Sequence, residues 1–185
     1  MKRLAVPVLT FAAALALARM PAHADPAQIQ KPAAQPASAE AKANLGKPEN
    51  AKWTTTTYEA ATAEANKKVL ESGKPVAITG EVVDVSCYLQ LGKHGEAHVA
   101  CGAKCIANGQ PIGLLDAEGN LYLLMPEEHH PRRDGQVELK TVFAPLLAKT
   151  VTVNGMAVEM KGYRALFVQA AELGGVVKPA EGEKK

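Results

Sequence analysis

Aromatic side chains are scarce in this chain, with three Phe, four Tyr and one Trp in 185 residues. Single-stranded nucleic acid is held on stacked aromatic platforms, and so few rings argue against that partner. Neither sign of charge dominates. Lys and Arg total 21 against 19 Asp and Glu, a formal net charge of +2, which gives no electrostatic case for nucleic acid. Long apolar runs are missing as well. The longest, Leu4 to Ala18, is too short to span a bilayer comfortably. The catalytic signatures HExxH, the phosphate-binding loop and the nucleophilic Ser/His/Asp arrangement are absent. So are Cys-x-x-Cys, which a thioredoxin-like enzyme needs, and Cys-x-x-Cys-His, which covalent haem needs. The chain reads as a binding protein rather than an enzyme.

The N-terminus carries an address. Lys2 and Arg3 precede the apolar run, and Ala22-His23-Ala24 offers small residues at both key positions of a cleavage site. Residues 1–24 are expected to be a signal peptide, which makes the protein periplasmic or secreted, with no stable membrane insertion after cleavage. Without an Arg-Arg pair it crosses unfolded and takes up any metal outside the cytoplasm. Residues 25–52 contain Pro26, Pro32, Pro36 and Pro48 and no apolar periodicity, the composition of a disordered linker. Residues 53–177 are expected to form one domain and residues 178–185 a disordered tail.

Within the domain the pattern is mainly β. Thr54 to Ser72 predicts an outer helix with a weak apolar stripe, closed by Gly73. Val76 to Leu91 predicts a long strand carrying Cys87, bent by a bulge near Gly80. Val151 to Glu159 repeats the pattern, with Gly155 in place of Gly80, so Asn154-Gly155 is read as a bend inside a strand and not as a hairpin turn. Pro111 to Leu115 and Leu121 to Met125 flank a hairpin loop, Asp116 to Asn120. Val137 to Ala148 predicts a short helix interrupted at Pro145, and Arg164 to Leu173 a last strand with Leu166 and Val168 inward. Met125, Met156 and Met160 are expected in the core. Five strands with bent first and fourth members predict an OB-like Greek-key barrel, with a short Cys/His-bearing helix inserted after the first strand. A generic α+β sheet is the alternative.

The chemistry concentrates between Cys87 and Cys105. If residues 97–108 are helical, His98, Cys101 and Cys105 fall within about 60° on one face. Cys87 upstream completes a Cys3His set, a four-ligand set suited to zinc, while copper(I) is the softer competitor. His94 is an additional ligand candidate on the same stripe. Three cysteines in an exported chain equally admit one disulfide and a spare thiol, giving a disulfide-stapled OB-like module without metal, or a thiol redox protein. The expected partners are a metal ion and, for the binding module, another exported protein. His129-His130 is expected to be a solvated loop pair.

Gly80-Glu81-Val82-Val83-Asp84, Cys87-Tyr88-Leu89, His98-x-x-Cys101-x-x-x-Cys105 and Pro111-Ile112-Gly113-Leu114-Leu115 together resemble a group of small exported bacterial OB-like proteins with the same helix insertion. The resemblance covers most of the expected domain. It implies the fold and the unity of the Cys/His set, and it implies no reaction. Separately, the Cys101-x-x-x-Cys105 spacing is similar to that of exported thioredoxin-like copper-delivery proteins, in spacing alone.

Overall fold

A computed structural model of the chain describes residues 43–129 and 134–173. The expected signal peptide, most of the expected linker, the expected tail and His130 lie outside the described residues.

The architecture follows from two long strands that each serve two neighbours. Strand β1 is Asn44–Leu45, β2 Lys74–Asp84, β3 Ile112–Asp116, β4 Leu121–Pro126, β5 Thr150–Met160 and β6 Tyr163–Val168. The first part of β2 pairs antiparallel with β5, and its last part, from Gly80, pairs with β3. The end of β5 pairs with β6, and β6 runs parallel to β4. The path β2–β3–β4–β6–β5 therefore returns to β2 and closes a five-stranded OB-like barrel, with β1 added parallel to β5 as a sixth strand.

The bends form without the expected bulge. The register is unbroken through Gly80 and Gly155, and each side of the ladder advances one residue at a time. Glycine is needed for another reason. A Cβ on Gly80 would stand 2.6 Å from the carbonyl oxygen of Leu115, and one on Gly155 2.5 Å from that of Phe167. The backbones approach too closely at these corners for any side chain. Inward parity is kept across both bends: Val76, Ile78 and Val82 on β2, and Val151, Val153 and Ala157 on β5, all join the core with Leu114, Leu124, Leu166 and Val168.

Among the described residues there are also five short α-helices: α1 Thr55–Ala60, α2 Glu64–Ser72, α3 Val85–Leu91, α4 Val99–Ala107 and α5 Asp134–Phe143. The single outer helix expected over residues 54–72 is two, because Ala63 is extended and restarts the coil. Helix α5, with a 3-10 turn at Ala144–Leu146 containing Pro145, sends Leu139, Val142 and Phe143 into the barrel. Ile106 of α4 enters the same core. The folded part also begins before residue 53. Leu45 and Ala51 are buried, and Asn154 Nδ2 donates to Asn44 Oδ1 at 3.1 Å and to the Gly46 carbonyl at 3.2 Å. Asn154 thus sits inside β5 and pins β1. Of the three methionines expected in the core, Met156 is buried, Met125 is half-buried and Met160 is exposed. Met125 and Met160 lie on the outer face, which α1 and α2 flank.

Candidate metal centre

Cys87 is not on a strand. The chain leaves β2 at Asp84, whose side chain caps α3: Oδ1 accepts from the backbone N–H groups of Ser86 (3.0 Å) and Cys87 (3.3 Å). Gly92, at φ 64°, ends the helix in the left-handed conformation. An Asp cap and a Gly stop outweigh the alternating apolar pattern of Val85, Cys87 and Leu89, so the expected strand becomes strand plus helix.

The loop after α3 is folded back by Glu81. This buried side chain points outward from β2 and accepts from the Gly95 N–H at 2.6 Å, with His94 Nδ1 at 3.2 Å. His94 also stands edge-on to Tyr88, with ring centroids 5.8 Å apart. The Glu81 contact commits one nitrogen of His94. The chain then makes a 3-10 turn, Glu96–His98, and enters α4 with His98 at its cap position.

The result is a convergence of donor atoms. One ligand atom each from Asp84, Cys87 and His98 lies within 4.8 Å of the others. Asp84 is 0% exposed and His98 5%. Asp84 Oδ2 and His98 Nε2 are buried, 4.0 Å apart, and without a hydrogen-bond partner among the described residues. A carboxylate oxygen and an imidazole nitrogen stripped of water with nothing in exchange are costly unless something charged joins them. Two such ligands on a tetrahedral ion stand roughly 3.4 Å apart, given bonds of about 2.0–2.1 Å. A small contraction of this pair would meet that spacing.

Cys105 and Cys101 complete the neighbourhood. Cys105 is half-buried and Cys101 exposed, and all three thiols are free. Burial, then its neighbours Cys101 and Asp84, push the Cys105 thiol up to about 11. The Cys87 thiol is raised too, first by the adjacent Asp84 side chain and then by burial. The interacting groups thus include all three cysteines and Asp84. Negative charge on one thiol is opposed by the others and by the carboxylate, a situation that a divalent cation reverses. Lys104, between the helix cysteines in sequence, is exposed.

Packing fixes the imidazole. A Cβ on Gly102 would stand 2.9 Å from His98 Nε2 and Cδ2 and 2.6 Å from Leu147 Cδ2. The buried glycine is what lets the ring and the 3-10 turn close on α4. Among the described residues the structure can hold a metal at Asp84, Cys87 and His98. Asp84 is not among the ligands expected from sequence. Its signal is the capping pattern of Asp84 before Ser86 and Cys87, which also aims the second carboxylate oxygen inward. No helix among the described residues is long and apolar enough to cross a membrane.

No family model matches the chain, and no curated protein or solved structure is significantly similar to it. The reading of the site therefore rests on its own atoms.

Proposed function

We propose that the protein is an exported metal-binding protein holding one zinc ion at Asp84, Cys87, His98 and Cys105. The observation that supports it most is the facing pair of buried, unpartnered atoms, Asp84 Oδ2 and His98 Nε2. A set of one oxygen, one nitrogen and two thiolates suits zinc, which takes all three donor types. Copper(I) prefers soft ligands, and the hard carboxylate at the buried end of the site disfavours it. Relative to a Cys3His set, Asp84 stands in for Cys101, which is the exposed thiol and lies at the solvent edge where an ion would enter.

Cobalt(II) substitution in the reduced, chelator-treated protein tests this. A tetrahedral spectrum with thiolate charge transfer is expected, lost or strongly weakened in His98→Ala. An unchanged affinity and spectrum in that variant overturns the reading.

A second reading is favoured by the nearness of the Cys105 side chain to the Cys87 thiol, whose surroundings it perturbs. Outside the cytoplasm these two could give up two protons and two electrons to a cellular oxidant and form a disulfide, leaving Cys101 free. The protein would then be a stapled binding module. His98→Ala would have no effect on its ligand, and the mass of the chain would be two units below the reduced value, roughly that of the two lost hydrogens.

A further inference from the structure

The outer face of the barrel, remote in sequence from the cysteine helices, carries a second feature. Between this face and α2 lies a cavity of about 460 Å³, within the range that encloses a small organic ligand. Its floor is the outward parity of β4 and β6, with Leu123, Met125 and Phe167. Its opposite wall is Trp53 and Leu70, held together because the indole N–H donates to the Leu70 carbonyl at 2.8 Å. The indole also stands edge-on to Phe167 at 5.3 Å. The rim includes Tyr163, which is 77% exposed.

One end of this apolar chamber is acidic. Glu127 continues the outward parity of Leu123 and Met125 and is only 3% exposed. Its Oε1 is fixed by the Thr54 N–H at 2.7 Å and the Thr54 hydroxyl at 3.3 Å. The Thr57 hydroxyl donates to its carbonyl at 2.9 Å. Its Oε2 is buried and has no partner among the described residues. Exposed Glu128 adds a second acid at the same end. Arg164, the guanidinium in the lining, is engaged by Glu159 at 3.2 Å.

We propose that this cavity binds a small organic cation, a protonated amine on an apolar body, with the ammonium group donating to Glu127 Oε2. A rigidly held, desolvated carboxylate oxygen at the end of an apolar chamber is complementary to that chemistry and to no neutral hydrocarbon. Among the described residues the lining offers two acids, Glu127 and Glu128, exposed His129, and an arginine already engaged by Glu159, a balance that favours a cationic over an anionic ligand. The body lies in the chamber alongside the Trp53–Phe167 pair, where an aromatic group would meet two rings.

The test uses the full mature chain and three probes with one body: tryptamine, tryptophol and indoleacetate. Calorimetric titration is expected to show tryptamine binding at least about tenfold tighter than the alcohol or the acid, the scale of one charge-assisted hydrogen bond. Glu127→Gln is expected to bring tryptamine down to the level of tryptophol. Ala165→Phe, which fills the chamber from β6, is expected to abolish binding of all three. Equal affinities for the three probes overturn the proposal, as does no binding in the millimolar range. An unchanged tryptamine affinity in a folded Glu127→Gln protein overturns it too. Should Glu127→Gln fail to fold, the probe series on the native chain and the Ala165→Phe variant decide.

Discussion

Asp84 Oδ2, at the start of the cysteine insertion, and His98 Nε2, midway along it, face one another at 4.0 Å, both buried and both without a hydrogen bond among the described residues. Asp84 closes β2 and caps α3, and His98 stands at the N-cap position of α4. The pair thus ties the barrel to both inserted helices, and Cys87 stands beside it. The separation is too long for a hydrogen bond and close to what two ligands of one ion require.

The two oxygens of Asp84 have separable roles, and this gives a first prediction. Asp84→Asn keeps an acceptor for the α3 cap and removes the charge at Oδ2. Zinc affinity should fall at least about a hundredfold, since even residues behind metal ligands are worth ten- to a hundredfold. The metal-free protein should be no less stable than the wild type, because an uncompensated buried charge has gone. Asp84→Ala should lose the metal and also roughly 1 kcal/mol of stability with the cap. Competition with a chromophoric chelator and urea unfolding of the chelated proteins would measure both. A marked destabilisation of metal-free Asp84→Asn would mean instead that Asp84 and His98 are a plain ion pair.

Gly102 supports the site without offering a ligand. Gly102→Ala places a Cβ within 2.9 Å of the His98 ring. The ring or the helix must shift, at a cost of about 1–3 kcal/mol. Zinc affinity should drop although every donor is intact, and cobalt spectra should show a distorted tetrahedral site. Unchanged affinity and stability would show that α4 is free to move away from His98.

The thiols give a pH dependence for the reduced, chelated protein. Cys105 moves from an ordinary value of 9.0 to about 11 on folding. An acid whose folded value is the higher one holds its proton more tightly when folded. Its contribution is complete below about pH 9 and is lost as pH rises towards about 11. Cys87 is shifted in the same direction. Urea midpoints taken across this window should fall more steeply for the wild type than for Cys105→Ser. Parallel slopes would contradict the shift.

Much of the fold is legible in the sequence. Period-two patterns in Val76 to Val83 and Val151 to Val158, each with a glycine at the corner, carry the closed barrel. Their bends read as bulges because both faces of β2 are apolar near Val82 and Val83. In fact the cysteine insertion covers the outer face there, through Glu81 holding Gly95. The helical spacing of His98, Cys101 and Cys105 locates the site. It does not rank the three side chains, since burial depends on how α4 leans on Leu147 and α5, a long-range contact. Asp84 is hard to single out because a cap residue and a ligand look alike in one dimension. The second carboxylate oxygen acquires its role only when α4 is laid across the end of β2. The outer cavity is equally hidden, since Trp53, Glu127 and Phe167 meet only after the barrel closes.

The central claim is tested most directly on protein purified from its native compartment without chelator. Bound metal would be measured by elemental mass spectrometry, and thiols titrated under denaturing conditions on the same sample. The account predicts about one zinc per chain, as a closed four-ligand site requires, and all three thiols, Cys87, Cys101 and Cys105, titratable once the metal is removed. A metal-free protein with a single titratable thiol would contradict it and leave the disulfide-stapled module in its place.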